Sequence, residues 1–325
     1  ACILDKLLLT PPHTFYPYFA YFPGQLLWLP DHSAISYIDY LDFDSSPTPI
    51  FQDFFVLNTD GSQRRQVTNG NDVYWADWSP DGQRLLLSQS INGRGEPQIW
   101  TMKIDGNAYG ALTSGDHRKV WGGWLADSES VIYVENIGEF KNQIGPTEQE
   151  FIFYTVNVTS GGLKELYRTN EEVTDTQLAP DRSKVVISSW ELTPIEGSKY
   201  FDYTGFNTIL LDVITGETTP LPKACYNPLW LPDSSGIICL DDVYDDNAIT
   251  VTRLEDLTPE VIELEHPLSD TDRGFTWDMG WLPDGRLLML TTGNSVLSTD
   301  ADQLLAVNLS DGTITTVIGA VGEED

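Results

Sequence analysis

Residues Trp78–Ser88 read WSPDGQRLLLS, a Pro-Asp-Gly turn set between a tryptophan and an apolar run. Pro80 fixes φ at the first corner of a turn, and the Asp81 side chain can accept hydrogen bonds from the backbone that follows it. Gly82 tolerates the left-handed conformation that closes a short hairpin loop. The stretch therefore predicts a β-hairpin, with one strand ending at the tryptophan and a second strand along the apolar run.

The same arrangement occurs five more times along the chain. Each time an aspartate follows Trp or Leu by three residues, and successive aspartates are 50, 46, 54, 52 and 51 residues apart. A fixed period of this kind is typical of a repeat architecture in which each repeat is one supersecondary unit. The aspartates are Asp31, Asp81, Asp127, Asp181, Asp233 and Asp284, and the apolar residues four positions later are Ile35, Leu85, Val131, Val185, Ile237 and Leu288.

Each repeat continues with a second pair of strands, such as QIWTMKID at 98–105 and GALTS at 110–114. The apolar strands lack the polar alternation of a strand with one wet face, so we expect them to be buried on both faces. Six such repeats predict an all-β fold, a six-bladed β-propeller of four-stranded antiparallel blades with the recurrent Trp packed between blades. Inner hairpins are expected near 24–38, 74–88, 120–134, 174–188, 226–240 and 277–291.

The W-S-P-D-G motif, the apolar strand after it, an I-W/Y strand and an L-T ending resemble the TolB-like propeller repeat. The same repeat type occurs in the propellers of prolyl oligopeptidase relatives. The resemblance covers residues 4–318 and implies the propeller fold, but such propellers carry many unrelated functions. Two departures are mild, since Leu178 replaces the Trp of the fourth repeat and Ala126 replaces the Pro of the third.

The repeats account for the whole chain of 325 residues, so we expect a single domain. The segment Asp5–Thr10, DKLLLT, looks like the outermost strand of a repeat and gives seven candidate outer strands for six inner ones. One hypothesis is that this segment docks on the sixth blade and latches the ring. The alternative is a remnant of a longer parent protein.

The chain begins Ala1-Cys2, so we expect it to have been trimmed from a longer precursor. Bacterial lipoproteins are cleaved before a cysteine that becomes lipidated, which makes Cys2 a candidate lipidation site against a plain secreted or trimmed domain. No transmembrane helix is predicted, because no apolar run reaches about eighteen residues. These features favour an extracytoplasmic protein, periplasmic, in the cell envelope or secreted.

The chain is strongly acidic, with 49 Asp and Glu against 18 Lys and Arg and a net charge of −31. Repulsion at that charge excludes nucleic acid and anionic membrane surfaces as partners. The acidic residues are spread along the loops, which predicts a solvated surface; a high-salt habitat and a cationic partner both fit. We expect a monomer.

Cysteine and histidine usage gives no metal or cofactor prediction. Cys225 and Cys239 fall on two strands of one predicted hairpin, but their register about the turn is offset, which favours buried thiols over a bridge. No C-x-x-C pair or Cys/His grouping indicates zinc. The histidines are too dispersed for a three-histidine site, and only the third precedes an inner strand closely. They are His13, His32, His117 and His266.

Two acidic segments are candidates for ligand sites. The run DDVYDDN at 241–247 could hold calcium through its carboxylates, but it lacks the glycine and spacing of a calcium loop, which favours a solvated turn. The segment DTDRGFTW at 270–277 nearly matches the Asp-box of sialidases, and a chance match is the better interpretation. There is no G-x-S-x-G motif, so a peptidase domain would have to belong to a longer parent.

Two function classes follow. The first is a non-catalytic binding propeller for a protein, peptide or glycan; the second is a channel-site enzyme such as a metal-dependent lactonase or lyase, with the propeller of a larger peptidase as a further alternative. Long, dissimilar loops at 39–53, 135–150 and 189–207 favour binding on the face that carries them. Aromatic and basic residues near the starts of inner strands are the candidates, unless the aromatics only pack between blades. They are Trp75, Trp121, Tyr226, Trp277, His117, Arg118 and Arg273.

Overall fold

The computed structural model describes residues 26–29, 31–41, 51–59, 61–69, 71–91, 94–104, 106–138, 149–198, 201–240, 248–265, 273–282, 284–293 and 303–318. In these ranges the chain forms six four-stranded antiparallel sheets, each built from four consecutive strands in chain order. The fold class is the six-bladed β-propeller, as the repeats predict. No helix in the described ranges is long and apolar enough to cross a membrane.

The strand bounds follow the repeats, and the sheets are numbered as blades in chain order. Blade 1 contains β1 (Leu26–Trp28), β2 (Ala34–Leu41), β3 (Phe51–Asn58) and β4 (Arg65–Gln66); blade 2 contains β5 (Asn71–Trp78), β6 (Arg84–Ile91), β7 (Arg94–Lys103) and β8 (Gly110–Ala111). Blade 3 contains β9 (Arg118–Trp124), β10 (Ser130–Gly138), β11 (Gln149–Asn157) and β12 (Leu163–Thr169); blade 4 contains β13 (Glu172–Leu178), β14 (Lys184–Pro194), β15 (Phe201–Asp212) and β16 (Thr218–Pro220). Blade 5 contains β17 (Tyr226–Trp230), β18 (Gly236–Leu240), β19 (Ala248–Arg253) and β20 (Pro259–Glu263); blade 6 contains β21 (Arg273–Trp281), β22 (Leu287–Gly293), β23 (Gln303–Val307) and β24 (Ile314–Ile318).

The chain divides into two compact units, one holding blades 1 to 4 and the other blades 5 and 6. The prediction of a single domain stays a prediction.

All six aspartate turns have the predicted chemistry. In each turn the Asp carboxylate accepts a hydrogen bond of 2.9–3.2 Å from the backbone N–H two residues later. The residue between is left-handed in every repeat, although it is glycine only at Gly82 and Gly285. The Asp bonds fix the turn closely enough that other side chains accept this strained conformation. These other residues are His32, Ser128, Arg182 and Ser234.

The apolar core of the first unit lies between neighbouring blades. Trp78 packs among residues of blades 1 and 2, and its Nε1 donates to Ser36 Oγ at 2.9 Å. Trp124 is fully buried against Leu86 and Ile99 of blade 2. The predicted role of the recurrent Trp in packing blade against blade is therefore confirmed for these repeats.

Both faces of the second strand of blade 3 are buried, as predicted for the apolar strands. Val131 packs against blade 2, whereas Ile132 and Val134 pack against Val185 and Ile187 of blade 4. The alternation of a β-strand sends successive side chains to opposite faces, so each second strand contributes to two interfaces. We call the second of these interfaces the blade 3–4 seam.

Blades 5 and 6 repeat this packing within the second unit. Leu229 and Ile238 of blade 5 form one cluster with Met279 and Met289 of blade 6. The Trp281 Nε1 donates to the Trp230 carbonyl at 2.9 Å, which ties the two repeats at the same sequence position.

The expectation of two free thiols is wrong, because Cys225 and Cys239 form a disulfide with their Cα atoms 5.0 Å apart. Counting residues from the turn places the two cysteines out of register only if the hairpin is regular. In the structure the pairing of β17 with β18 shifts register between Tyr226 and Leu229, and Cys225 lies just before the strand begins. Disulfides persist in oxidising compartments, so the bond agrees with an extracytoplasmic location.

The predicted long loop at 189–207 is a second correction, because most of it is strand. β14 continues to Pro194 and β15 begins at Phe201, and the two stay paired up to Pro194 and Phe201. Pro194, Gly197 and Gly205 are of types that are rare inside strands, but Trp190, Thr193, Tyr203 and Thr204 have the aromatic and β-branched side chains that suit a strand. The blade 4 hairpin therefore extends well past the length of its neighbours.

Several predicted features lie outside the described residues. They include the candidate latch strand 5–10, the candidate lipidation site Cys2, and the acidic run 241–247. The Asp-box-like segment 270–277 is described only from Arg273, where β21 begins. These features stay predictions.

Candidate functional site

Each sheet has two ends with different chemistry. We call the end that carries the aspartate turns the Asp-turn edge. The opposite end, where the first strand of a blade begins and its second strand ends, is the connection edge. The candidate residues named from the sequence belong to first strands near the connection edge.

One of these candidates, His117, belongs to a charged network at the start of blade 3. Lys119 and Glu135 are cross-strand neighbours on β9 and β10, and the Lys119 Nζ donates to Glu135 Oε1 at 2.9 Å. The His117 Nδ1 lies 3.1 Å from the same oxygen, with its ring half exposed to solvent. Lys119, which the sequence reasoning missed, is buried and also donates to the His117 carbonyl at 3.0 Å. One carboxylate thus serves two basic groups.

Arg118 connects blade 3 to blade 2. Its Nε lies 3.0 Å from Glu96 Oε2 on β7, and about a quarter of its side chain is exposed. The Gln98 amide, also on β7, donates to the carbonyls of Gly115 and His117 and fixes the turn that leads into β9. The basic residues of this strand start are therefore held in place by partners on two blades.

The two candidate tryptophans of blades 2 and 3 pack against each other. The ring centroids of Trp75 and Trp121 lie 6.1 Å apart, in a tilted arrangement. Trp121 is 5% exposed and belongs to the core of the blade 3–4 seam, whereas Trp75 is half-buried. Both rings contribute to packing between blades, and only Trp75 presents an accessible surface.

Asp175 occupies in blade 4 the position that Trp75 and Trp121 occupy in blades 2 and 3. Each of the three lies three residues before the repeat tryptophan or, in blade 4, before Leu178 in its place. It is 4% exposed, and neither carboxylate oxygen has a hydrogen-bond partner among the described residues. Burial raises the pKa of this carboxyl well above its usual value. The signal for it was in the sequence, since aligning the repeats places an acid where two others have tryptophan.

Tyr226, Arg273 and Trp277 belong to the first strands of blades 5 and 6. Tyr226 opens β17 and Arg273 opens β21, so their backbones lie where the sequence placed them, at strand starts. The side chains of all three lie outside the described part of the structure. Their binding role stays a prediction.

An aromatic group lies on the extended hairpin of blade 4, and sequence reasoning missed it. The Trp190 ring centroid lies 4.8 Å from that of Phe206 and 5.5 Å from that of Tyr203. Tyr203 is 43% exposed, and its hydroxyl donates to Glu172 Oε2 at 2.7 Å. Burial raises the pKa of Glu172, although the hydrogen bond from Tyr203 opposes the shift.

Two further carboxylates lie at the base of the same hairpin. The Asn207 Nδ2 is 3.2 Å from Glu171 Oε1 and 3.2 Å from Glu191 Oε1, so one amide group donates to both acids. The Ser189 hydroxyl donates to the other oxygen of Glu171. The connection edge of blade 4 is therefore acidic where that of blade 3 is basic.

No group of three or more His, Cys, Asp or Glu side chains in the described ranges is arranged to hold a metal ion. Of the four histidines, His32 lies at the Asp-turn edge of blade 1 and His117 at the connection edge of blade 3. His13 and His266 lie outside the described residues. Metal binding has no support from these residues.

No family model and no curated protein matches the chain. Several solved structures do match the chain. The oligogalacturonate lyase of Vibrio parahaemolyticus aligns over 100% of this chain and 82% of its own length, with 15% identity and a TM-score of 0.65. The β-propeller domain of the Trilobed protease from Pyrococcus furiosus aligns over 88% of this chain and 81% of its own, with 15% identity and a TM-score of 0.55. TolB from Acinetobacter baumannii aligns over 74% of this chain and 54% of its own, with 17% identity and a TM-score of 0.46.

At these identities the likeness shows the fold alone. It confirms, for the fold, the resemblance drawn from the repeat motif, and the first two structures carry that conclusion. This chain spans about half the length of the TolB protein that it matches. Propellers of one architecture serve unrelated functions, so function has to be argued from the site.

Proposed function

We propose that the protein is a binding propeller that recognises a peptide, protein or glycan at the connection edge of blades 2 to 4. The proposal rests on one observation above the others. The blade 4 hairpin is a strand-paired extension of the scaffold, and it presents a half-exposed tyrosine within an aromatic group. Ligand-binding side chains are commonly carried on such extensions of a rigid fold.

The chemistry at this edge suits recognition. Tyr203 combines a large ring with a hydroxyl group, and such residues supply much of the binding energy at interfaces. Trp75 adds a half-buried ring on blade 2, and His117 adds an exposed imidazole on blade 3. These groups provide stacking area together with hydrogen-bond donors and acceptors, which peptides and glycans both use.

The test is a direct binding measurement with a substitution at the hairpin. The purified protein is applied to arrays of synthetic peptides and of glycans, and the strongest binder is titrated by calorimetry. We expect Tyr203→Ser to raise its Kd by about 10-fold or more, because the ring is a contact surface. A rise in Kd for Tyr203→Ser that a control substitution outside the hairpin does not show would support the proposal.

Tyr109 offers a matched control. It is also 43% exposed, stacks on Trp100 and hydrogen-bonds Gln89, but it lies in the β7–β8 connection of blade 2. Tyr109→Ser should leave the Kd within about 2-fold, since it removes the same ring away from the hairpin. Absence of saturable binding on every array, or equal effects of the two substitutions, would overturn the proposal.

A lyase activity is a second candidate, favoured by His117 paired with Glu135 beside the cationic Lys119. A carboxylate-oriented histidine can act as a general base, and a cation can stabilise a developing anion. The likeness to the Vibrio lyase supplies the substrate to try. The protein is incubated with oligogalacturonate, with and without Mn²⁺, and unsaturated product is followed by ultraviolet absorbance. Product formation that His117→Ala abolishes would establish an enzyme instead of a binding protein.

A further inference from the structure

The blade 3–4 seam changes from apolar to polar as it approaches the connection edge. Val134 and Ile187 pack across the seam, and the next residues on the same faces are Asn136 and Ser189. The strand register confirms that both residues lie on the seam-facing sides of their sheets, because Asn136 is opposite Phe151, and Ser189 is opposite Val173. Both of these apolar partners belong to the seam core. Asn136 and Ser189 therefore lie on the two sheet faces that border the seam, near its connection edge.

The polar end of the seam has an excess of hydrogen-bond acceptors. Asn136 is 1% exposed, and its Oδ1 has no hydrogen-bond partner among the described residues, while its Nδ2 donates to Gln149. On the facing blade, Glu171 and Glu191 share the single Asn207 amide group. A buried amide oxygen without a donor costs free energy, as do two carboxylates held close together.

The neighbouring seam shows what balances such a site. Between blades 2 and 3 the acid at this edge is Glu135, and it pairs with the Lys119 ammonium group at 2.9 Å. Aligning the repeats on their turn aspartates places Glu171 where blade 3 has His117, and Val173 where it has Lys119. Among the described residues, blade 4 therefore has acids at this edge without a cation at the position of Lys119.

We propose that the polar end of the blade 3–4 seam binds the ammonium or guanidinium group of a basic side chain from the ligand. Such a group donates several hydrogen bonds and carries one positive charge, which matches two carboxylates and an orphan amide oxygen. Glu191 is exposed and Glu171 half-buried, so a side chain can reach the acids from solvent. The proposal rests on the proposed function, and it narrows the ligand to a lysine- or arginine-containing peptide or protein.

An organic cation fits better than a metal ion. The Asn207 Nδ2 group, a hydrogen-bond donor, lies 3.2 Å from an oxygen of each acid, in the place between the two carboxylates that a bridging metal would take. Divalent cations require several oxygen ligands in contact with the ion. An ammonium group can instead approach the two carboxylates from outside and donate hydrogen bonds to their remaining lone pairs.

The experiment uses three capped pentapeptides with Lys, Arg or norleucine between glycines, titrated into the intact protein by NMR or calorimetry. We expect the Lys or Arg peptide to bind at least about 10-fold more tightly than the norleucine peptide. In the double variant Glu171→Gln, Glu191→Gln this preference should disappear, because the shape is kept while both charges are lost. Thermal unfolding checks that the variant is folded.

Glu129→Gln is the charge control. It removes an exposed carboxylate of blade 3 at the Asp-turn edge, far along the strand from the seam end. The preference for the basic peptide should survive this change, which separates local recognition from general attraction to a chain of charge −31. Equal losses in the control and in the double variant would contradict the inference.

The outcomes also separate this inference from the proposed function. If the arrays yield a neutral ligand that Tyr203→Ser weakens, while the basic peptides show no preference, the binding function stands and the cation site is wrong. If Ca²⁺ binds with a dependence on Glu171 and Glu191 and the peptides do not, the site is a metal site and the inference is overturned. If neither arrays nor peptides bind, both proposals fail.

Discussion

At the scale of single residues, Asp175 buries a carboxyl group on the first strand of blade 4. Burial removes the solvation of the charged form, so it favours the neutral acid and raises the pKa in the folded state. Its place in the repeat is one that Trp75 and Trp121 fill with apolar rings.

This predicts a pH dependence with a definite sign. Between the ordinary Asp pKa of 3.8 and the raised folded value, the folded state holds one more proton than the unfolded state, so stability falls as pH rises. Asp175→Asn removes this dependence, and the variant's advantage in free energy of unfolding should grow from pH 5 to pH 8. Urea titrations at several pH values measure it. A constant difference across this range would show that Asp175 is charged in the folded protein.

Asp212 gives a comparison with the opposite sign. Backbone hydrogen bonds from Thr215 and Ile214, together with Lys184, lower its folded pKa to about 2. Its contribution is therefore present above pH ~4 and is lost as pH falls towards 2. Asp212→Asn should lower the free energy of unfolding by a constant amount above pH 5, and urea titrations at several pH values should show this loss shrinking as pH falls towards 2.

At the scale of the element, the disulfide of blade 5 closes a short hairpin that ends in an irregular strand. β17 has five residues and a register shift, so only three of its residues, Tyr226, Leu229 and Trp230, pair with β18. Cys225 and Cys239 are separated by 14 residues, and both are buried. The bond holds the start of this hairpin where the hydrogen-bond ladder is interrupted.

Replacing both cysteines by alanine should lower the free energy of unfolding by about 3 kcal/mol, the chain-entropy value for a loop of roughly 15 residues. Chemical denaturation of the wild type and the double variant measures it. A reductant present during unfolding should lower the stability of the wild type and leave the variant unchanged. A variant as stable as the oxidised wild type would show that the ladder alone fixes the hairpin.

At the scale of the whole molecule, one ion pair joins three blades of the first unit. Arg182, in the turn of blade 4, donates from Nη1 to Asp77 Oδ2 at 2.6 Å on blade 2 and to the Trp124 carbonyl at 2.7 Å on blade 3. Asp77 also accepts from the Trp124 N–H at 2.8 Å. Burial alone would lower the pKa of Arg182, but the Asp77 carboxylate outweighs it and raises the pKa.

Arg182→Met should destabilise the protein by ~3–5 kcal/mol, because it leaves the buried Asp77 carboxylate without its cation. Adding Asp77→Asn should recover part of the loss, since the uncompensated charge is then gone. Arg286→Met is the matched control, because Arg286 pairs with the exposed Asp284 in a turn of the same type, and it should change stability little. Equal effects of the two arginine variants would contradict a role in joining blades.

Much of the fold could be predicted because the decisive interactions are local. The aspartates of the turns bond to the backbone two residues later, so Asp31, Asp81 and their equivalents specify hairpins within a few residues of sequence. Tryptophans at a fixed distance from those turns identified the packing between blades. The candidate site was anticipated only in its strand starts, His117 and Arg118 among them.

Only the tertiary structure decided the contacts between residues that lie far apart in the sequence, and the contacts that depend on small shifts of strand register. Arg182 and Asp77 are separated by 105 residues, and nothing near either one indicates the other. The bridge between Cys225 and Cys239 depends on a one-residue irregularity, and Asn136 lies on the face of blade 3 that borders blade 4 only because of the alternation of its strand. A periodic sequence determines the repeating unit through short-range bonds, whereas the relative placement of neighbouring units decides which side chains meet between them.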